Sequence, residues 1–199
     1  ADLAQRLDRT QAPDQGLGPV LHLRQGAGTP LFAIHPAGGL AWCYRTLAQR
    51  LERPVIGLQS PLLDPSANTP ASLTALAQDY MNRIDRIAPT GPIALLGWSL
   101  GGIIAHSIAA EAEARGRNIK QLVLLDAYPS DCWRDQPEPD PVAALRALLA
   151  IAGFDPEAHL DLTTAEAIMG FLAAQGHPLA LLPDAVQQGI IRSVRAANA

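Results

Sequence analysis

Four short apolar runs, residues 31–35 (LFAIH), 55–58 (VIGL), 93–97 (IALLG) and 122–126 (LVLLD), alternate with segments whose apolar residues recur at three- and four-residue spacing, 41–51, 72–87 and 100–115. Apolar runs of four or five residues with no in–out alternation suit strands buried on both faces, and the intervening period suits helices. The alternation predicts an α/β architecture, a mostly parallel sheet flanked by helices and wound by right-handed crossovers. Residues 20–23 read as a further short strand at the start. Gly116 stands where a helix C-terminal glycine belongs.

After residue 126 the pattern changes. Residues 128–141 hold four prolines and several acids and read as a loop, and beyond them only helical patterns remain, 141–152, 164–174 and 183–197. This last third reads as a helical insertion lying on the sheet as a lid. At the other end, residues 1–8 have leucines at 3 and 7, and residues 9–19 have the composition of a linker, with Pro13, Gly16, Gly18 and Pro19. The expected division is 1–19 as a helix-ended tail plus linker, 20–140 as the α/β core, and 141–199 as the lid region.

Composition narrows the class. Apolar residues make up 48% and charged residues 17%, a globular balance. A net charge of −4 offers no electrostatic reason to expect nucleic acid or an anionic membrane as partner. Cys43 and Cys132 form no metal-ligand or CxxC spacing and suit a reducing compartment. No stretch reads as a signal peptide or membrane span. The expectation is a cytoplasmic protein, monomeric as an isolated domain, with no bound metal.

The chemistry concentrates at Gly97-Trp98-Ser99-Leu100-Gly101, between the 93–96 strand and the 103–108 helix. A nucleophile on a sharp strand-to-helix turn adopts a strained backbone, so Gly97 and Gly101 supply the small flanks that the turn requires. Ser99 is the candidate nucleophile. An oxyanion needs two N–H donors, each typically worth about 3–4 kcal/mol of barrier lowering. The Leu100 amide, at a helix N-terminus, is one. The other should come from the loop His35-Pro36-Ala37-Gly38-Gly39, where Pro36 has no N–H and Ala37 is the choice. Asp126, at the end of the following strand, is the candidate acid, on the argument that a carboxylate there would otherwise face apolar surroundings unpaired. Trp98 either lines an acyl channel or packs under the turn. Trp42 and Tyr44 place one face in the core and leave the other free for substrate.

A serine nucleophile needs a base, and the usual chain order is Ser, Asp, His. His159 and His177 follow Asp126 but lie in the helical insertion. His106 is roughly 10 Å along its helix from Ser99, His35 reads as a residue holding the shape of its loop, and His22 reads as surface. The expectation is that the remaining strands and the histidine loop lie beyond Ala199, and that these 199 residues alone are inactive.

The segments LFAIHPAGGLAWCYRTLAQRL, PVIGLQSP, GPIALLGWSLGG and LVLLDAYP together resemble the C-terminal thioesterase domains of nonribosomal peptide synthetases, of the siderophore type typified by enterobactin synthase. The resemblance implies an α/β-hydrolase fold and transfer of a peptidyl chain from a carrier phosphopantetheine thioester to Ser99, followed by hydrolysis or macrocyclisation. It implies Asp126 as the acid, Ala37 and Leu100 as the oxyanion hole, residues 141–197 as a mobile lid, and residues 1–8 as the last helix of a preceding peptidyl carrier domain. The phosphopantetheine belongs to that carrier, and the domain itself binds no cofactor. Two other readings stay open: a stand-alone editing thioesterase or esterase of the same fold, and a non-catalytic module that docks a carrier.

Overall fold

The computed structural model describes residues 16–128 and 141–196. The expected 1–8 helix, most of the proline-rich loop and Cys132 lie outside the described residues. Five strands form one sheet in the order β1-β3-β2-β4-β5: β1 (Val20–Arg24), β2 (Leu31–Ile34), β3 (Val55–Leu58), β4 (Ile93–Trp98) and β5 (Ile119–Leu125). Strands β2 to β5 are parallel, and β1 runs antiparallel to β3 at one edge. The fifth strand begins at Ile119, earlier than the apolar run suggested, because Lys120 and Gln121 are polar and exposed. It ends at Leu125, so Asp126 is the first residue beyond it.

The even apolar pattern of the central strands is explained by cover on both faces. Phe32, Ile34, Ile56, Leu58, Ile93 and Leu95 point to one side, against α2 (Leu73–Ile87) and α3 (Leu100–Ala114). Leu31, Ala33, Val55, Ala94 and Leu96 point to the other, against Ala41, Tyr44 and Ala48. Full burial of each large side chain contributes roughly 1.5–3 kcal/mol. The expected 41–51 helix is shorter: a 3₁₀ turn at Trp42–Tyr44 leads into α1 (Arg45–Gln49).

The helix ends follow local chemistry. The Ser72 hydroxyl accepts the Ala75 N–H at 3.1 Å and caps α2, a bond worth about 1 kcal/mol. Helix α3 ends through Gly116 at φ 69°, with Arg117 N–H on Ala112 O at 2.8 Å, a Schellman closure. Residues 16–19, expected as linker, are tied to the core. Gly16 is buried, its carbonyl accepts Trp42 Nε1–H at 2.7 Å and Gln59 Nε2–H at 3.0 Å, and the Gly18 carbonyl accepts Gln59 Nε2–H at 2.7 Å.

Helices α4 (Pro141–Ile151), α5 (Ala165–Ala174) and α6 (Asp184–Ala196) form a second apolar cluster around Leu148, Leu149, Ile168, Leu172 and Val194. The sequence pattern missed three 3₁₀ turns, Pro61–Leu63, Pro156–His159 and Pro178–Leu181, all opened by proline at the first helical position. Helix α6 docks on the first of these. A Cβ on Gly189 would lie 2.7 Å from Leu62 O, and the Arg192 guanidinium donates to Leu62 O at 2.6 Å and Asp64 O at 2.9 Å. Among the described residues no helix is long and apolar enough to cross a membrane.

Candidate active site

The strand order determines where a site can form. The chain leaves β2 toward β3 on one side and leaves β4 toward β5 on the other, so the carboxyl ends of β2 and β4 flank a topological switch point, where open α/β sheets leave a crevice. Ser99 follows β4 there, and the 35–39 loop follows β2.

Ser99 has φ 55° and ψ −127°, a conformation that costs a non-glycine residue on the order of 1–3 kcal/mol. Its surroundings hold it: the Ser99 N–H donates to Leu125 O at 2.9 Å and its carbonyl accepts the Gly102 N–H at 2.9 Å. The glycines permit this. A Cβ on Gly97 would lie 2.0 Å from Gly101 O, one on Gly101 would lie 2.4 Å from Ile34 O, and one on Gly102 would lie 2.3 Å from the Ala127 Cβ. Leu100 opens α3, so its N–H has no intrahelical acceptor and points toward the helix N-terminus with the positive end of the helix dipole. Trp98, next to the nucleophile, is 37% exposed.

The 35–39 loop turns back through Gly39 N–H on Pro36 O at 2.9 Å, with Gly39 at φ 80°. Among the described residues the Ala37 N–H has no acceptor, and Ala37 is half buried. His35 is buried beneath the loop. Its Nδ1–H donates to Pro36 O at 2.7 Å, and its Nε2 accepts the Tyr80 hydroxyl at 2.6 Å. The Tyr80 hydroxyl also lies 3.3 Å from Gln59 O, and the neutral ring is the form that burial favours. Burial lowers its pKa from 6.5 to about 4, against a smaller opposing effect of the Pro36 carbonyl. The unfolded chain thus takes up a proton below pH 6.5 that the folded one refuses down to about pH 4. The stabilisation from neutral His35 is complete above pH 6.5 and is lost as pH falls toward 4, at about 1.4 kcal/mol per pH unit and roughly 3 kcal/mol in all. His35→Gln should remove this slope from the domain's stability between those limits, measured by pulse proteolysis in urea; an unchanged slope would mean that another group carries it.

Asp126 is brought beside the turn by the pairing of Trp98 with Leu125. It has φ 47°, and it is exposed. This corrects the sequence argument: the carboxylate is solvated, so no unpaired buried charge marks it, and what singles it out is position and a left-handed backbone. None of the described histidines is hydrogen-bonded to Ser99 or Asp126. His35 has both ring nitrogens engaged, His22 and His106 are exposed on β1 and α3, and His159 and His177 pack with Phe154 and Phe171 in the helical cluster. His177 Nδ1 also accepts the Leu179 N–H at 3.2 Å.

The helical cluster reaches the 35–39 loop. A Cβ on Gly38 would lie 3.0 Å from Ile151 Cδ1, and one on Gly39 would lie 2.8 Å from Ser193 Oγ. Ser193 Oγ in turn is 2.8 Å from Ser60 Oγ. Between α6, the start of α2 and the first turn of α3 lies a cavity of about 500 Å³, walled by Leu62, Leu73, Leu76, Leu100, Ile103 and Ser193. Leu100 is on its wall and Ser99 is just outside it. The Ser60–Ser193 contact and the Tyr80–His35 pair were beyond reach of the sequence, because neither has a local spacing that announces it.

The family model of the thioesterase domain matches residues 29–182. The chain is 39% identical over 193 residues to a dimodular nonribosomal peptide synthase of Bacillus subtilis, covering 94% of this chain and 8% of that protein. It is 36% identical over 142 residues to enterobactin synthase component F of Escherichia coli, covering 68% of this chain and 11% of that one. The chain thus spans about a tenth of the length of these relatives. A crystal structure of the NocB thioesterase domain in covalent complex with a fluorophosphonate nocardicin G analogue superimposes with a TM-score of 0.64 at 25% identity, over 92% of this chain and 71% of that one. The sheet flanked by helices, the serine at its switch point and the match over most of its length agree: the chain belongs to the thioesterase domain family, on an α/β-hydrolase fold.

Proposed function

We propose that this domain releases an acyl or peptidyl chain from the phosphopantetheine thioester of a peptidyl carrier domain, through an acyl-enzyme at Ser99. The observation that carries the reading is Ser99 in a strained turn at the switch point, followed by a Leu100 N–H that has no acceptor among the described residues. Ser99 Oγ attacks the thioester carbonyl as its proton passes to a general base. The oxyanion is held by the N–H groups of Leu100 and Ala37, donors fixed before reaction begins. The C–S bond then breaks, and the phosphopantetheine sulfur leaves as a thiol with that proton. Water or a nucleophile within the acyl chain next attacks the ester, giving an acid or a ring and returning the proton to Ser99. Asp126 is assigned as the acid that orients the base.

The reading carries further assignments: residues 20–140 as the catalytic core, 141–199 as the lid, and 1–19 as the tail of the carrier domain with its linker, all in a cytoplasmic synthetase. The relatives are themselves named as nonribosomal peptide synthetases, which supports a carrier-bound substrate. Exclusion of water from the closed site would decide between hydrolysis and cyclisation. The test is to treat the full-length protein with a biotinylated fluorophosphonate and map the adduct. One adduct in this domain, on Ser99, is the expected result; labelling of a different serine here, or of none, overturns the mechanism.

A further inference from the structure

We propose that Tyr44 is a positioning residue for acyl transfer, its hydroxyl setting the separation of the nucleophile turn from the oxyanion loop. The inference rests on the thioesterase reading above.

The phase of the β2–β4 ladder is set by Ala94 N–H donating to Pro30 O at 2.9 Å, with Leu31 paired to Ala94 and Ile34 to Gly97. Parallel strands bond at every second residue of each chain. Counted forward from Ala94, the last rung falls between Trp98 N–H and Ile34 O. Both of these groups bind the Tyr44 hydroxyl: Trp98 N–H donates to Tyr44 Oη at 2.9 Å, and the Tyr44 O–H donates to Ile34 O at 2.7 Å. The side chain reaches the rung from the 3₁₀ turn at Trp42–Tyr44 and is 4% exposed. Burial pushes the phenol well above its ordinary pKa, so the hydroxyl keeps the proton it donates.

The rung's position gives the contact its meaning. Ile34 is the last residue of β2 before the loop that presents the Ala37 N–H. Trp98 is the last residue of β4 before Ser99 and the Leu100 N–H. A single hydroxyl therefore joins the two segments that carry the nucleophile and both oxyanion donors, at the one point where their strands part. Without it, Trp98 N–H and Ile34 O either close on each other or stand unpaired. The first draws the serine turn toward the loop, and the second frees it. Either displaces donors from an oxyanion whose stabilisation depends on placement within a fraction of an ångström, where a misplacement of about 1 Å costs on the order of 10²-fold.

The experiment compares Tyr44→Phe with Ala48→Gly in the full-length protein. Ala48 is a buried residue of the adjoining helix α1, in the apolar cluster with Leu31, Val55 and Ala94, and its side chain has no hydrogen-bonding group. Two readouts are taken: turnover of octanoyl N-acetylcysteamine thioester, and the rate of fluorophosphonate labelling at Ser99, each normalised to the folded fraction. Tyr44→Phe should lower kcat roughly 10- to 100-fold with KM within about twofold, and slow labelling in parallel. Ala48→Gly should leave both unchanged. The proposal is overturned if Tyr44→Phe keeps wild-type kcat and labelling, if its loss is entirely in KM, or if Ala48→Gly loses as much per folded molecule. If Tyr44→Phe yields no folded protein, Tyr44→His, whose shorter ring cannot bridge both groups, takes its place under the same criteria. Failure of the wild-type protein to label at Ser99 would instead overturn the reading beneath.

Discussion

Ser99→Ala in the full-length protein should lower release of the carrier-bound chain by on the order of 10⁴-fold or more, with the domain still folded. Removing the nucleophile of a cooperating catalytic group leaves only binding and oxyanion stabilisation, and those cannot form the acyl-enzyme. The fold has no stake in the hydroxyl, since the bonds that hold residue 99 run through its N–H to Leu125 and its carbonyl to Gly102. The backbone angles make a second, opposite prediction at the same residue. Ser99→Gly should be as inactive as the alanine variant but more stable, by about 1 kcal/mol, because glycine adopts φ 55° and ψ −127° without the cost of a Cβ. Hydrogen exchange of the β4 amides reads that gain directly. Release above about one per cent of wild type in either variant would remove the serine from the mechanism, and a glycine variant less stable than wild type would remove the strain.

Gly97→Ala should cost in excess of about 4 kcal/mol of stability. The new Cβ would sit 2.0 Å from Gly101 O, 2.2 Å from Gly101 C and 2.4 Å from Gly102 N. All three are backbone atoms of the first turn of α3, so no side chain can swing aside. Relief requires α3 to move off the sheet, which would uncover Ile104, Ala105 and Ile108. The comparison is Gly116→Ala, at φ 69° with nothing within 4 Å of the added carbon. There only the left-handed backbone is penalised, about 1–2 kcal/mol. Pulse proteolysis in urea should show the first variant unfolded or nearly so, and the second shifted slightly. Comparable losses in the two would mean that the contact between β4 and α3 is looser than these distances state.

Both predictions concern residues that could be picked out before any coordinates. Gly97, Ser99 and Gly101 have a spacing that suits a tight strand-to-helix turn, and the apolar runs on either side, which supply the strand and the helix, carry the reading. Asp126 stands just beyond the fifth strand, as expected, while its exposure contradicts the reason for choosing it. Residues 16–19 have linker composition and are nonetheless held to the core. Glycines and prolines look like a linker, yet their carbonyls are claimed by Gln59 and Trp42 from far along the chain.

What the sequence by itself determined is therefore what local periodicity encodes: four parallel strands, the helices between them, a helical final third, and the serine turn. These depend on residues two to five apart, whose backbone preferences act before any partner is found. The tertiary structure decided the rest. It set the strand order that opens a crevice between β2 and β4, the antiparallel course of β1, and the seat of α6 on Pro61–Leu63. It also gave Tyr44 and His35 their partners. Tyr44 meets Trp98 across 54 residues, and Tyr80 meets His35 across 45. A hydrogen bond over such a separation exists only once strand register has brought donor and acceptor within about 3 Å. No spacing in the chain announces a register, which is why the serine could be named from its neighbours and the hydroxyl beneath it could not.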